Sequence, residues 1–428
     1  MVARMKLHLE DIGPINEANI NIGKITIVGG HNSSGKSTLS KFLYSFLRSN
    51  SLNREEIAIK SLSESISQLS RYISFFLRRQ DKDSRARFPY FRFRETPELD
   101  ELVEKYEELK SEFNKLDFPE DFYEKVDNQF DKIDNLINIT IKNEIPLYIS
   151  IMKSLLQSEF LTSDFNSFME IENNCGDESF KFVVDFKNYD WKEDEAFKTT
   201  GGFILNDVFY VDSIAILNIH DHFRYSETMS VDHLDFLTDN LVIKPKHVST
   251  AIFDDAINDD IISLEMQIEN IIKGKIIFKD SKFVYESDSG ALDMINTASG
   301  IKQIGIIQVL LANRKLKDDC VLIIDEPEVN LHPEWQFKLA NILTLLSKKL
   351  DISIYINTHS PLFIEALNTF SDYYDVSDTT TYHLAQKLDT SDRFNINEVP
   401  ESDLSKIYEE LGKPYFDMDL LRLEKELD

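Results

Sequence analysis

The chain has 428 residues, 42% of them hydrophobic, which fits one large domain with an insertion or two ordinary domains around a sizeable core. Its formal net charge of -28 excludes binding nucleic acid with the surface as a whole, leaving only a local basic groove for that task. Two isolated cysteines, Cys175 and Cys320, form no metal cluster and fit a reducing setting, while the lack of a signal peptide or an ~18-residue apolar run predicts a soluble, cytoplasmic protein with no membrane contact.

Met5–Leu9 and Ala18–Ile22 alternate as strands around a turn at Ile12-Gly13-Pro14. Lys24–Val28 is a short apolar strand that runs into Gly29-Gly30. After Ser37, apolar residues at Leu39, Phe42, Leu43, Phe46 and Leu47 mark one face of a helix. Residues 51–97 are mixed, with a basic island of Arg78, Arg79, Lys82, Arg85, Arg87, Arg92 and Arg94 interleaved with aromatics. The island suits either phosphate contact with base stacking or a hairpin whose arginines pair with the chain's own acids. Leu99, Leu102, Tyr106, Leu109, Phe113 and Leu116, then Tyr123, Val126, Phe130, Ile133 and Ile137, alternate steps of three and four. That spacing predicts a helical hairpin over 98–145, joined at Phe118-Pro119 and either projecting as an arm or packing on its own domain.

Phe180–Phe186 alternates as a strand, and Thr199-Thr200-Gly201-Gly202 looks like a linker. Val208–Val211 is an apolar strand. Residues 213–270 are acidic and helical or irregular, and His220-Asp221-His222 lacks the further ligands a metal site needs. Lys275–Lys279 and Lys282–Glu286 predict a hairpin around Asp280-Ser281. From 297 to 370 the order helix, strand, helix, strand, helix is that of a parallel α/β sheet.

Three segments carry chemistry. Gly30-His31-Asn32-Ser33-Ser34-Gly35-Lys36-Ser37-Thr38 is a phosphate loop, with the required strand before it and helix after it. Its glycines let several N–H groups face one anion, and the helix start adds partial positive charge. Lys36 is placed for the terminal phosphates of ATP and the Ser37 hydroxyl for Mg²⁺. Val321-Leu322-Ile323-Ile324-Asp325-Glu326-Pro327 is a strand covered on both faces that delivers two acids at its C-terminal edge, where α/β sheets bind ligands. Asp325 is placed to hold Mg²⁺, and Glu326 to orient and deprotonate a water. Ile352–Ile356 leads to Asn357-Thr358-His359-Ser360-Pro361, where His359 is placed to donate to a γ-phosphate. Ser299-Gly300 opens an amphipathic helix and is a second, weaker anion-binding device.

In this order the segments resemble ABC-type ATPase heads. Ser299-Gly300-Ile301-Lys302-Gln303 looks like the signature motif, Asp325-Glu326 like Walker B with its catalytic glutamate, and His359 like the switch histidine. The form Asp325-Glu326-Pro327-Glu328-Val329-Asn330-Leu331-His332-Pro333, followed by Thr358-His359-Ser360-Pro361, is similar to the SMC, RecF and OLD-like branch, and Ile12-Gly13-Pro14-Ile15 also looks like it. Membrane-transporter ATPases usually carry another pattern there.

The resemblance implies a P-loop NTPase head of mixed α/β class. Helices would flank a mixed sheet with an antiparallel β lobe, and a helical hairpin arm would be inserted. The head would comprise 1–50 and 200–428, and the inserted lobe 51–199. It also implies an ATPase that forms a homodimer on ATP, with Ser299 and Gly300 reaching the γ-phosphate held by the sister chain's Lys36. The family's Mg²⁺-contacting glutamine is missing: Asp212-Ser213 follows the corresponding strand, so that ligand stays unassigned. Residues 371–428 are too few for the nuclease domain of OLD proteins, so any nuclease activity would belong to a separate effector protein. Two functions remain open. One is an ATPase whose closing gates DNA or such a partner in anti-phage defence or DNA maintenance. The other is an ATP-gated scaffold with little turnover.

Overall fold

The computed structural model describes residues 5–52, 54–80, 88–89, 91, 97–142, 145–160, 167–175, 178–186, 190–193, 207–218, 231–242, 255–413, 418 and 422. Contacts divide the chain into two units, Met1–Ser51 with Leu155–Asp428, and Leu52–Ser154.

The first unit is organised by strands too apolar to face water on either side. β3 (Ile25–Gly29) is buried throughout, and so is most of β7 (Asp207–Val211), β11 (Cys320–Asp325) and β12 (Ser353–Thr358). With β13 (Thr380–Lys387) they form a parallel block in the order β13-β3-β12-β11-β7. Helices on both faces are what such a block requires. α1 (Lys36–Ser51) buries Leu39, Phe42, Leu43, Phe46 and Leu47, the face read from the sequence. α6 (Asp232–Leu241), α7 (Asp255–Ile272), α8 (Ser299–Ala312), α9 (Pro333–Leu350) and α10 (Pro361–Tyr373) contribute to one continuous core with the block.

Beyond β13 the sheet is mixed. β14 (Phe394–Val399), β2 (Ile15–Ile22), β1 (Met5–Ile12), β4 (Phe168–Cys175), β5 (Glu178–Asp185) and β6 (Asp190–Glu193) complete eleven strands. β13–β14 is antiparallel, β14–β2 parallel, and the pairs from β2 outward antiparallel. The expected lobe of 51–199 differs from this arrangement. β4 pairs with β1, so these strands stand in the head's sheet, and the boundary falls at Leu155. Alternation marked a strand near 180 but carried no information about which strand it would pair with. β8 (Lys275–Lys279), β9 (Lys282–Ser287) and β10 (Gly290–Asp293) form a separate antiparallel sheet; Asp280 and Ser281, both at positive φ, make the two-residue turn between β8 and β9.

In the second unit the two striped segments are α3 (Leu99–Phe113) and α4 (Glu120–Lys142), and both pack on α2 (Arg54–Gln80). Leu62, Ile66, Leu69, Ile73 and Leu77 of α2 share one core with the stripes of α3 and α4. The Phe118 ring stacks 4.8 Å from Phe113, closing the turn between them. α5 (Ile145–Phe160) runs across the unit boundary. Most of the basic island, together with His220-Asp221-His222 and the Thr199–Gly202 stretch, lies outside the described residues.

One buried polar group in the sheet has a pH consequence. His383 of β13 is fully buried, and its Nε2 accepts the Asn21 N–H at 3.0 Å. Burial pushes the imidazole's pKa down from 6.5 to about 4. The folded state therefore keeps it neutral where the unfolded chain binds a proton. Its contribution is complete above about pH 6.5 and is lost as pH falls through 4, at up to about 1.4 kcal/mol per pH unit. Urea titrations across that window should show a shallower fall of stability with acid in His383→Gln than in the unaltered chain.

Candidate nucleotide-binding site

The phosphate loop follows from its glycines. Gly30 sits where a Cβ would lie 2.7 Å from Ala385 Cβ. Gly35 has φ +94, and its Cβ would come 2.5 Å from Ile15 Cγ1. Only residues without a side chain pass between these neighbours. Ser33 also takes a left-handed conformation, and the Gly30 N–H donates to Thr358 O at 3.3 Å. Lys36 is 4% exposed, and its Nζ donates to Gly30 O and His31 O, both at 2.8 Å. Burial pulls its pKa down, and Glu326, Asp325 and Glu328 oppose that pull. The Ser34 hydroxyl is fully buried without a hydrogen-bond partner. A buried lysine and an orphaned hydroxyl in a glycine-bounded loop at a helix start fit a bound phosphate chain. Asn32 and Ser37 are exposed, and Thr38 is half-buried.

Strand order puts the other groups beside the loop. β12 lies between β3 and β11, so His359 emerges between the phosphate loop and the acidic pair. Register carries Asn357 alongside Asp325, and Thr358 alongside Gly29. Asp325 is held from three elements. Ser40 of α1 and Asn357 of β12 donate to Oδ1 at 2.9 and 2.5 Å, and the Tyr210 hydroxyl of β7 donates to Oδ2 at 2.7 Å. Ser37, Tyr210, Asp212, Gln303, Asp325 and Glu326 line a cavity of about 380 Å³.

Glu326 stands in the left-handed region at φ 45, and its N–H donates to Asn357 O at 2.9 Å. That turn redirects the chain so that Glu328, 4% exposed, reaches back under β12. Its Oε1 accepts from the Thr358 hydroxyl at 2.7 Å and the His359 N–H at 2.6 Å. His359 Nδ1 lies 3.1 Å from the same oxygen and 3.9 Å from Glu326 Oε1.

Ser299 and Gly300 do not line this cavity, although Asn330 and Gln303 do. The Ser299 hydroxyl donates to Asn330 O at 2.7 Å, and a Cβ on Gly300 would lie 2.9 Å from the Trp335 ring.

The sequence assigns no individual role to five residues of the site: Ser40, Tyr210, Glu328, Asn357 and Thr358. Asn357 and Glu328 did leave a signal, as polar residues within or just past otherwise apolar strands. Ser40 and Tyr210 left none, because their role depends on a partner far along the chain.

A phosphate loop flanked in one parallel sheet by a histidine strand and an acidic strand defines a P-loop head of the SMC/ABC-like kind. The chain belongs to the family described as AAA domain, putative AbiEii toxin, Type IV TA system, whose model matches residues 25–365. Solved structures similar to it include the SMC head domain from Thermotoga maritima, 11% identical over 93% of this chain and 99% of that one, with a TM-score of 0.41. Another is the Smc head with an extended coiled coil bound to the C-terminal domain of ScpA from Pyrococcus furiosus, 10% identical over 95% and 99%, TM-score 0.41. A third is the ADP conformation of an ATP-binding cassette of an ABC transporter, 10% identical over 96% and 96%, TM-score 0.34. Among curated proteins no sequence matches. Among the described residues no helix is long and apolar enough to cross a membrane.

The two acids in this turn should separate by stability. Glu328→Ala strands two buried donors and should lower unfolding free energy by about 1.5–3 kcal/mol in urea titrations. Glu326→Gln keeps the side-chain shape at a half-exposed position and should change it by less than about 0.5 kcal/mol.

Proposed function

We propose that the chain binds ATP with Mg²⁺ at this loop and hydrolyses it within a homodimer closed by the nucleotide. The observation that carries the reading is the strand order β3-β12-β11, which brings Lys36, His359, Asp325 and Glu326 to one sheet edge. The loop amides beyond Gly30, as far as Thr38, would cradle the phosphates, and Lys36 would bridge the terminal two. Ser37 and, through water, Asp325 would hold Mg²⁺, which when bound neutralises charge on the β- and γ-phosphates. Asp325 already accepts three protein hydrogen bonds, which suits contact through water.

Glu326 would orient the attacking water and take its proton as the new O–P bond forms. The bond from the γ-phosphorus to the bridging oxygen breaks, and its electron pair leaves with ADP. His359 would donate to the γ-phosphate. Ser299 and Gly300, which do not line their own chain's cavity, would complete the site of a second copy. Closing and opening of that dimer would gate DNA or a separate nuclease-type effector, in anti-phage defence or DNA maintenance.

Purified Lys36→Ala should lose ATP binding by calorimetry. Glu326→Gln should bind ATP, lose turnover by about 10²-fold or more and accumulate a dimer in size-exclusion chromatography. Normal turnover in Glu326→Gln would remove that residue from the chemistry. Turnover that is negligible in the unaltered chain and indifferent to DNA, with a co-purifying protein, would favour an ATP-gated scaffold.

A further inference from the structure

Behind the cavity lies a buried charge cluster with no part in the reading above. Glu159, at the end of α5, has a side chain with 0% exposure, and His233 on α6 has 2%. Glu159 Oε1 accepts the His233 N–H at 3.1 Å, and Oε2 lies 2.6 Å from His233 Nδ1. On the other side, His233 Nε2 lies 3.2 Å from Asp212 Oδ2, off the line of a hydrogen bond, so this buried nitrogen has no aligned acceptor. A fully buried carboxylate is costly unless an opposite charge is fixed against it. Glu159 and Asp212 flank His233 as its two acids.

Asp212 is the residue just past β7. Val211 pairs with Ile324, so the next position stands beside Asp325, one strand spacing of about 4.8 Å away. Its carboxylate is one-third exposed and lines the cavity with Ser37, Asp325 and Glu326. Both Asp325 oxygens are taken by protein donors, whereas Asp212 Oδ1 takes no hydrogen bond from the described residues. Mg²⁺ is held through carboxylate oxygens and water, and Asp212 adds to Asp325 and Glu326 a third carboxylate on the cavity, with one oxygen that takes no hydrogen bond from the described residues, on the same wall as the Ser37 hydroxyl.

We infer that Asp212 is a metal-facing carboxylate of the nucleotide site and that the buried Glu159–His233 pair is the device that aims it. His233 is thus a positioning residue: its buried ring stands behind the carboxylate, with Nε2 3.2 Å from Oδ2, which leaves Oδ1 as the oxygen for the metal. Partners of this kind, one shell out from a metal, commonly change affinity tenfold to a hundredfold when removed.

The inference rests on the nucleotide reading, so the test measures metal and nucleotide separately on the full chain. Nucleotide affinity is measured by calorimetry in EDTA, and Mn²⁺ affinity at saturating ADP by electron paramagnetic resonance. Asp212→Asn should keep the EDTA affinity and weaken Mn²⁺ about tenfold or more. His233→Gln, assayed well below its melting temperature, should weaken Mn²⁺ in the same direction with an altered manganese spectrum. Asp212→Ala provides a second route should the asparagine variant misfold. Mn²⁺ affinity within twofold of the unaltered chain in a folded Asp212 variant would overturn the assignment. The same result in His233→Gln alone would remove its positioning role and so overturn the pair as the aiming device. An unaltered chain that binds neither nucleotide nor Mn²⁺ would overturn the nucleotide reading and this inference together.

Discussion

The amide of Asn357 joins what the rest of the site depends on. Its Nδ2 donates to Asp325 Oδ1 and, at 2.6 Å, to Ser40 Oγ, and the backbone carbonyl of the same residue accepts the Glu326 N–H. One fully buried residue of β12 thus fixes the helix after the phosphate loop, the acidic strand and the turn that carries Glu326. In a low-dielectric interior each of these bonds is stronger than in water, and leaving any one unmade is costly. The spacing between Lys36 and the acids is accordingly set by a hydrogen-bonded strand rather than by a loop.

The same economy of placement recurs on either side. Glu328 uses one oxygen to hold both the Thr358 hydroxyl and the backbone of His359, and Tyr210 reaches from β7 to Asp325. The parallel register converts four separate segments into one edge, because each strand adds about 4.8 Å and no more. Burial of the tyrosine hydroxyl holds its pKa well above the usual value, with Asp325 adding to that effect, so it stays a donor at any working pH.

What the sequence made legible was local. The phosphate loop is contiguous, and its strand and helix announce themselves by period; the same is true of Val321–Glu326 and of the helix over 36–51. The stripes at 99–137 were readable for the same reason, and α2 carries a comparable stripe at Leu62, Ile66, Leu69, Ile73 and Leu77 that passed unread amid its serines and arginines. The pairing of β4 with β1 joins residues about 160 positions apart, and no period encodes it. Glu159 and His233 were illegible for the same reason: a buried acid and a histidine 74 positions apart are unremarkable until folding brings them within 2.6 Å.

The glycine after Ser299 has a further meaning. The indole of Trp335 covers the side of Gly300 where any larger residue would project. Packing alone therefore demands a hydrogen there, whatever ligand the helix start meets. A short motif can persist because of an aromatic neighbour inside its own fold, and a variant at 300 would disturb the seat of α8 on α9 before it altered any encounter with phosphate.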